Sequence, residues 1–270
     1  MNTKRKFISF ADSRMKGALR RIKMQAEAMD FFDEINVYNE LDLPGDFRAK
    51  HANLMKRGVR GFGFWVWKPY IIQQALKELK DGEELWYIDA GCHLNARGRQ
   101  RMVEYAEMLR KNEFPLAAFE LEEDCSEKAF TKMDLLVRMG VEKQEEVLTS
   151  GQLCTGHIFC VKSDAVVAFV DEWMKWWDDI HMIDDSPSVL PNYPEFVEHR
   201  HDQSVFSILC KLHGALRLPG IETWPAKNSR DWSLLENYPI WDKRDLGFTS
   251  HTFSRFKRKV RKLWKKLFCR

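Results

Sequence analysis

The sequence predicts an α/β domain built around a mostly parallel sheet, and three observations predict it. Short apolar runs alternate with segments of helical apolar spacing along most of the 270 residues. The runs stop on acidic or small residues, as strands do where they deliver a ligand-binding loop. No internal repeat, low-complexity tract or Pro/Gly/Ser-rich linker divides residues 1–252. They are read as a single domain, followed by a distinct tail at 253–270.

The elements follow in order. Residues 6–11 (KFISFA) form a first strand that ends at Asp12-Ser13, and residues 18–32 have helical apolar spacing. A second strand at 35–38 (INVY) leads through a loop with Pro44-Gly45 to the block RGVRGFGFWVWKP and a helix over 70–79. After a turn at Asp81-Gly82, the strand 84–88 (ELWYI) runs directly into Asp89-Ala90-Gly91. A helix over 98–112, a strand over 116–121, a helix over 130–139 and a strand over 157–161 (HIFCV) come next. The remainder reads as a helix over 164–180 with an aromatic-rich face, a Pro-containing loop, a helix over 202–213 and a short strand at 217–219.

Composition is consistent with one sizeable core, at 44% hydrophobic and 13% aromatic residues, and excludes a disordered chain. No run approaches the roughly 20 apolar residues that span a bilayer, and no signal peptide is expected. The six cysteines, Cys92, Cys125, Cys154, Cys160, Cys210 and Cys269, form no C-x-x-C pair. Neither a zinc site of closely spaced ligands nor a disulfide framework is expected from them. They read as reduced, buried small hydrophobes of a cytosolic protein.

Open parallel sheets bind ligands outside the carboxyl ends of their strands. That rule selects Asp12 and Ser13, the stretch from Asp89 to Cys92, and Glu120 to Glu122. The strongest of these is ELWYIDAGCHLN, residues 84–95. A carboxylate at the end of a buried strand is fixed while its head reaches the binding edge, and Gly91 permits close approach. An oxygen ligand there suits Mg²⁺ or Mn²⁺ clamping a diphosphate, although an Asp that only caps the next turn is as common. Lys68, at a helix start beside Pro69, is placed to face a diphosphate as a point charge. Trp65 and Trp67 alternate, so in an extended segment only one of them faces a pocket. Asp202 and Gln203 open a helix, where Asp is also an ordinary cap.

Taken together, the block from Arg60 to Pro69 and the strand ending in Asp89-Ala90-Gly91 resemble the GT-A type glycosyltransferases that use sugar nucleotides. More narrowly, they resemble bacterial capsule and lipopolysaccharide transferases with a G-x-G-x-W-x-W-K-P block before D-A-G. His199-Arg200-His201-Asp202-Gln203-Ser204 is similar to the H-R-x-D-Q-S block that opens a late helix in that group. The resemblance spans roughly residues 5 to 225 in order and spacing. The chain departs from the better-known transferases, which carry D-x-D, in having Gly91 at the second acidic position.

The resemblance implies a single Rossmann-like GT-A domain and a hexosyltransferase-type enzyme with a nucleoside-diphosphate sugar as donor. It implies donor contacts at Asp12, Ser13, Trp67, Lys68, Asp89, Ala90, Gly91, Thr155 and Gly156. Lys68, Asp202 and Gln203 take catalytic roles in this reading. A Mn²⁺ or Mg²⁺ ion is held by Asp89, with His251 as a late ligand. The acceptor it implies is a glycan or a lipid-linked sugar in surface polysaccharide synthesis.

Net charge separates the tail from the body. The whole chain carries +3, yet its last 17 residues hold nine Lys or Arg and no acid, leaving the body near −6. An acidic body gives no reason to expect nucleic acid. At 100° per residue, Phe256, Val260, Leu263, Trp264 and Leu267 share one side of a helix. Lys262, Lys265 and Lys266 belong to its basic remainder. Such a helix suits an anionic membrane surface, so the expected location is the cytoplasmic face of the plasma membrane. The competing reading is a non-catalytic membrane-surface adaptor with an α/β body.

Overall fold

The computed structural model describes residues 3–56, 58–225 and 231–245. The tail at 253–270, with its amphipathic pattern, and His251 lie outside the described residues. Among the described residues, no helix is long and apolar enough to cross a membrane.

Eight strands and ten helices, besides several 3-10 turns, make up the described chain. In order they are β1 (Arg5–Phe10), α1 (Lys16–Met29), β2 (Glu34–Tyr38), α2 (Gly45–Lys50), a tight turn α3 (Gly61–Phe64) and α4 (Trp67–Lys77). β3 (Glu84–Ile88), β4 (His93–Leu94), α5 (Arg99–Lys111), β5 (Phe114–Glu120), α6 (Glu127–Phe130), α7 (Met133–Arg138) and α8 (Glu145–Thr149) follow. The last are β6 (His157–Val161), α9 (Asp164–Lys175), α10 (Asp202–His213), β7 (Ala215–Pro219) and β8 (Ile240–Trp241).

Six strands form one sheet in the order β2-β1-β3-β6-β5-β7. β6 runs antiparallel to both neighbours and the other pairings are parallel. The expected α/β class with a mostly parallel sheet is therefore what the chain adopts. Side chains alternate across the sheet, as the two-residue period of a strand requires. Ile8, Phe10, Leu85 and Tyr87 pack with α4, α9 and α10 on one face, whereas Phe7, Trp86, Ile88 and Phe159 pack with α1 and α5 on the other. The sheet is thus covered on both sides, and β3 in its middle is buried along its whole length.

Two expected helices are shorter than the spacing predicts. The one expected over 130–139 is split into α6 and α7, because Thr131 and Lys132 are extended. The buried Lys132 instead sends its ammonium to the carbonyls of Asp184 and Ser186, at 3.3 and 3.2 Å. The helix expected over 164–180 ends at Lys175 and continues as 3-10 turns.

A segment with no assigned role in the sequence closes one side of the sheet. β8 pairs antiparallel with β4, setting His93 opposite Trp241. The chain before it packs on Gly98 so tightly that a Cβ there would lie 2.3 Å from Pro239 N. Gly98→Ala is expected to push residues 231–245 off the body and to cost roughly 1–3 kcal/mol as overpacking. Faster amide exchange confined to that segment checks this; unchanged exchange contradicts it.

Candidate active site

A cavity of about 470 Å³ opens at the carboxyl ends of β1 and β3, the edge where parallel sheets place ligands. β3 ends in the Asp89-Ala90-Gly91 loop, and Asp89 N donates to Gly156 O across the β3–β6 pairing (2.8 Å). The loop before β6 is fixed from beneath. Leu121 N donates to Gln152 O (2.9 Å) and Cys154 N to Phe119 O (2.8 Å). The buried Gln152 side chain donates to Glu127, which also pairs with Lys211 at 2.8 Å. Thr155 and Gly156 are thereby held at the cavity wall.

Lys68 is the centre of the site. Its ammonium, 1% exposed, lies 3.1 Å from Asp202 Oδ2 and 3.4 Å from Asp89 Oδ1. It donates to Thr155 O and Thr155 Oγ1 at 3.1 and 3.3 Å. The Asp202 contact is a buried ion pair. Burial opposes the Lys68 charge, but Asp202 and Asp89 outweigh it and hold the ammonium above the ordinary lysine range. Burial pushes the Asp202 carboxyl up, against the pull of Lys68. Tyr87 donates its hydroxyl to Asp89 Oδ1. Asp89 is the open member of this group, at 34% exposure against 4% for the Asp202 side chain.

The segment before Lys68 is not extended, contrary to one reading of its alternating tryptophans. Gly61, Phe62, Gly63, Phe64 and Trp65 all have positive φ, a full left-handed turn. Each non-glycine residue there costs roughly 1–2 kcal/mol, so surrounding contacts must hold it. Trp67 Nε1 donates to Gly61 O (3.1 Å) and His201 stacks on Phe64 at 5.4 Å. The turn brings Trp65 and Trp67 to the cavity together. Left-handed turns of this kind cluster at ligand clamps.

The other expected residues fall as follows. Asp12, Ala90, Gly91, Thr155, Gly156 and Gln203 line the cavity, and Ser13 does not. Asp12 caps the 3-10 turn after β1 and pairs with Arg14 at 2.5 Å. Asp202 is the first residue of α10 and not its cap; His201 holds the cap position. His201 lines the cavity, and His199 and His201 are both held by hydrogen bonds. His199 is tied to Lys132 N and Met182 O (3.4 and 2.9 Å), and His201 bonds Asp185 at 2.8 Å. Five basic side chains line the cavity: Arg14, Arg60, Lys68, Arg200 and Arg244. Apart from Lys68, the sequence reading assigned them no role, because no spacing in the sequence relates them.

For a hard cation such as Mn²⁺ or Mg²⁺, several oxygen ligands are needed. The β3 loop supplies one carboxylate, Asp89, and its Oδ1 is engaged by Tyr87 and Lys68. The group of three ligand atoms found among the described residues is Cys92, His157 and Asp242, and Asp89 is not in it. A sulfur, nitrogen and oxygen set does not fit the all-oxygen preference of Mn²⁺ or Mg²⁺.

No protein family matches the chain in sequence, and no curated protein does. Solved structures of similar arrangement include a glycosyltransferase involved in the glycosylation of the major capsid of PBCV-1. It is 10% identical, over 94% of this chain and 99% of that one, with a TM-score of 0.47. The galactosyltransferase LgtC, in complex with donor and acceptor sugar analogues, is 13% identical over 97% and 99% of the two chains, with a TM-score of 0.45. Mouse xyloside xylosyltransferase 1 is 8% identical over 87% and 96%, also at 0.45. At such identities and TM-scores these are likenesses of chain arrangement, from which no substrate follows.

Proposed function

We propose that the protein transfers a sugar from a nucleoside-diphosphate sugar to a glycan or lipid-linked acceptor. The observation that carries this reading is the Lys68 ammonium, buried between two carboxylates at the carboxyl edge of the sheet, in a cavity ringed by four arginines. Fixed cations in a partly dry site stabilise charge that develops on a departing diphosphate. Trp65, Trp67 and Phe62 offer flat apolar walls to a sugar or a base.

In this reading, the bond between the sugar's anomeric carbon and the β-phosphate oxygen breaks as the acceptor oxygen bonds that carbon. The acceptor proton passes to a base or to water, and the nucleoside diphosphate leaves. Asp89, open to the cavity, accepts hydrogen bonds from sugar hydroxyls. Asp202, at the cavity wall, acts by fixing Lys68.

Calorimetry with nucleoside diphosphates checks the donor site, and micromolar binding competed by a sugar nucleotide is expected. No binding by any common nucleoside diphosphate would leave the adaptor reading standing. We also propose that residues 253–270 hold the enzyme on the cytoplasmic face of an anionic membrane, on the strength of their sequence pattern. Co-sedimentation with phosphatidylglycerol vesicles, lost at high salt and on removal of 253–270, is the expected result; equal sedimentation without the tail contradicts it.

A further inference from the structure

Two backbone pairings bring Cys92, His157 and Asp242 together from distant parts of the chain. Cys92 follows the β3 loop, and the β4–β8 register that sets His93 opposite Trp241 places Cys92 across from Asp242. His157, paired with Ile88, begins β6 directly beside the end of β3. Cys92 Sγ lies 3.4 Å from His157 Nε2 and 3.8 Å from Asp242 Oδ1. All three ligand atoms lie within 4.8 Å of one another.

We propose that Cys92, His157 and Asp242 hold a zinc ion at the floor of the cavity, with a fourth coordination position left toward the cavity. Tetrahedral zinc, with about 2.3 Å to sulfur and about 2.0–2.2 Å to nitrogen or oxygen, separates such ligands by about 3.5 Å. The two spacings from Cys92 Sγ, 3.4 and 3.8 Å, lie within a few tenths of an ångström of that value, and His157 and Asp242 are within 4.8 Å of each other. Cys92 and Asp242 line the cavity, and three protein ligands leave one position for water or substrate.

The chemistry of the donors supports the same ion. His157 is fully buried, with its Nε2 facing Cys92 Sγ. Thiolate and imidazole together favour zinc over Mg²⁺ or Mn²⁺. Arg21 steadies the site from outside, donating to Ala90 O, Cys92 O and Asp245 O at 2.9, 3.2 and 3.0 Å. The zinc site does not depend on the sugar-transfer reading, because metal binding is measured without any sugar nucleotide.

The test uses the full chain stripped with a chelator. Dialysis against Zn²⁺ should restore one zinc per chain by elemental analysis. Co²⁺ in its place should give a thiolate-to-cobalt charge-transfer band that Cys92→Ser abolishes. Asp242→Asn, nearer the surface, should weaken zinc binding at least tenfold (about the lower bound for disturbing a metal site) without changing the metal-free circular dichroism. Inorganic diphosphate should shift the cobalt d–d bands. Substoichiometric zinc, a cobalt spectrum with no thiolate band, or unchanged affinity in Asp242→Asn overturns the site. Cobalt bands indifferent to diphosphate overturn the open position.

Discussion

Replacing Lys68 by methionine is expected to lower stability by about 3–5 kcal/mol and to abolish nucleotide binding. The cost arises because Asp202, 3% exposed, keeps a carboxylate whose main counter-charge has been removed, and breaking one side of a buried ion pair carries a penalty of that size. Fold and function separate in the double variant Lys68→Met/Asp202→Leu. With both charges gone, it should recover much of the stability, since buried pairs are often replaceable by apolar groups. It should still not bind nucleoside diphosphate, because the ammonium is gone. Denaturant unfolding and calorimetry read the two effects independently. Recovery of binding along with stability would show that Lys68 is only a structural cation.

Asp89→Asn is expected to reduce turnover by about 10²–10³-fold with little change in stability. The side chain is one-third exposed, and the buried Lys68 ammonium beside it keeps Asp202 as its counter-charge, so the stability cost is expected to stay at about 1 kcal/mol. An asparagine oxygen can still accept from Tyr87, which donates to Asp89 in the native site. What changes is the negative charge facing the sugar, and losing one preorganised electrostatic group costs a factor of that order. Steady-state kinetics that show a raised KM with an unchanged kcat would instead assign Asp89 to donor binding alone.

The frame of the fold was legible because local pattern sets it. β3 is Glu84 followed by four apolar residues that stop on a carboxylate, and both of its ends lie where the residues suggested. α10 begins at Asp202 as its polar start and apolar spacing imply. The reversed direction of β6 was not legible, since HIFCV reads alike either way along the sheet. The left-handed turn from Gly61 to Trp65 was hidden because Phe62, Phe64 and Trp65 have no local preference for it. Contacts from Trp67 and His201 hold it in place.

Much of the site depended on pairings between remote segments. Lys68 and Asp202 each stood out alone, but their ion pair follows from α4 and α10 meeting at the same sheet edge. Asp242 had no signal in its own neighbourhood. It reaches Cys92 only because β8 returns to pair with β4, and Gly98 is the small residue that lets it return. Reading the cysteines as scattered and inert followed from their spacing along the chain. The β3–β6 and β4–β8 registers put one of them within 3.4 Å of a histidine.

Release of free nucleoside diphosphate from a full panel of sugar nucleotides, with and without a glycan acceptor, tests sugar transfer most directly. The purified full chain should release the diphosphate from one or a few donors, faster with acceptor present, and Lys68→Met and Asp89→Asn should suppress that release. No release from any donor, by a protein that binds nucleoside diphosphate and is fully folded, would contradict transfer and leave the cavity as a nucleotide-binding site without chemistry.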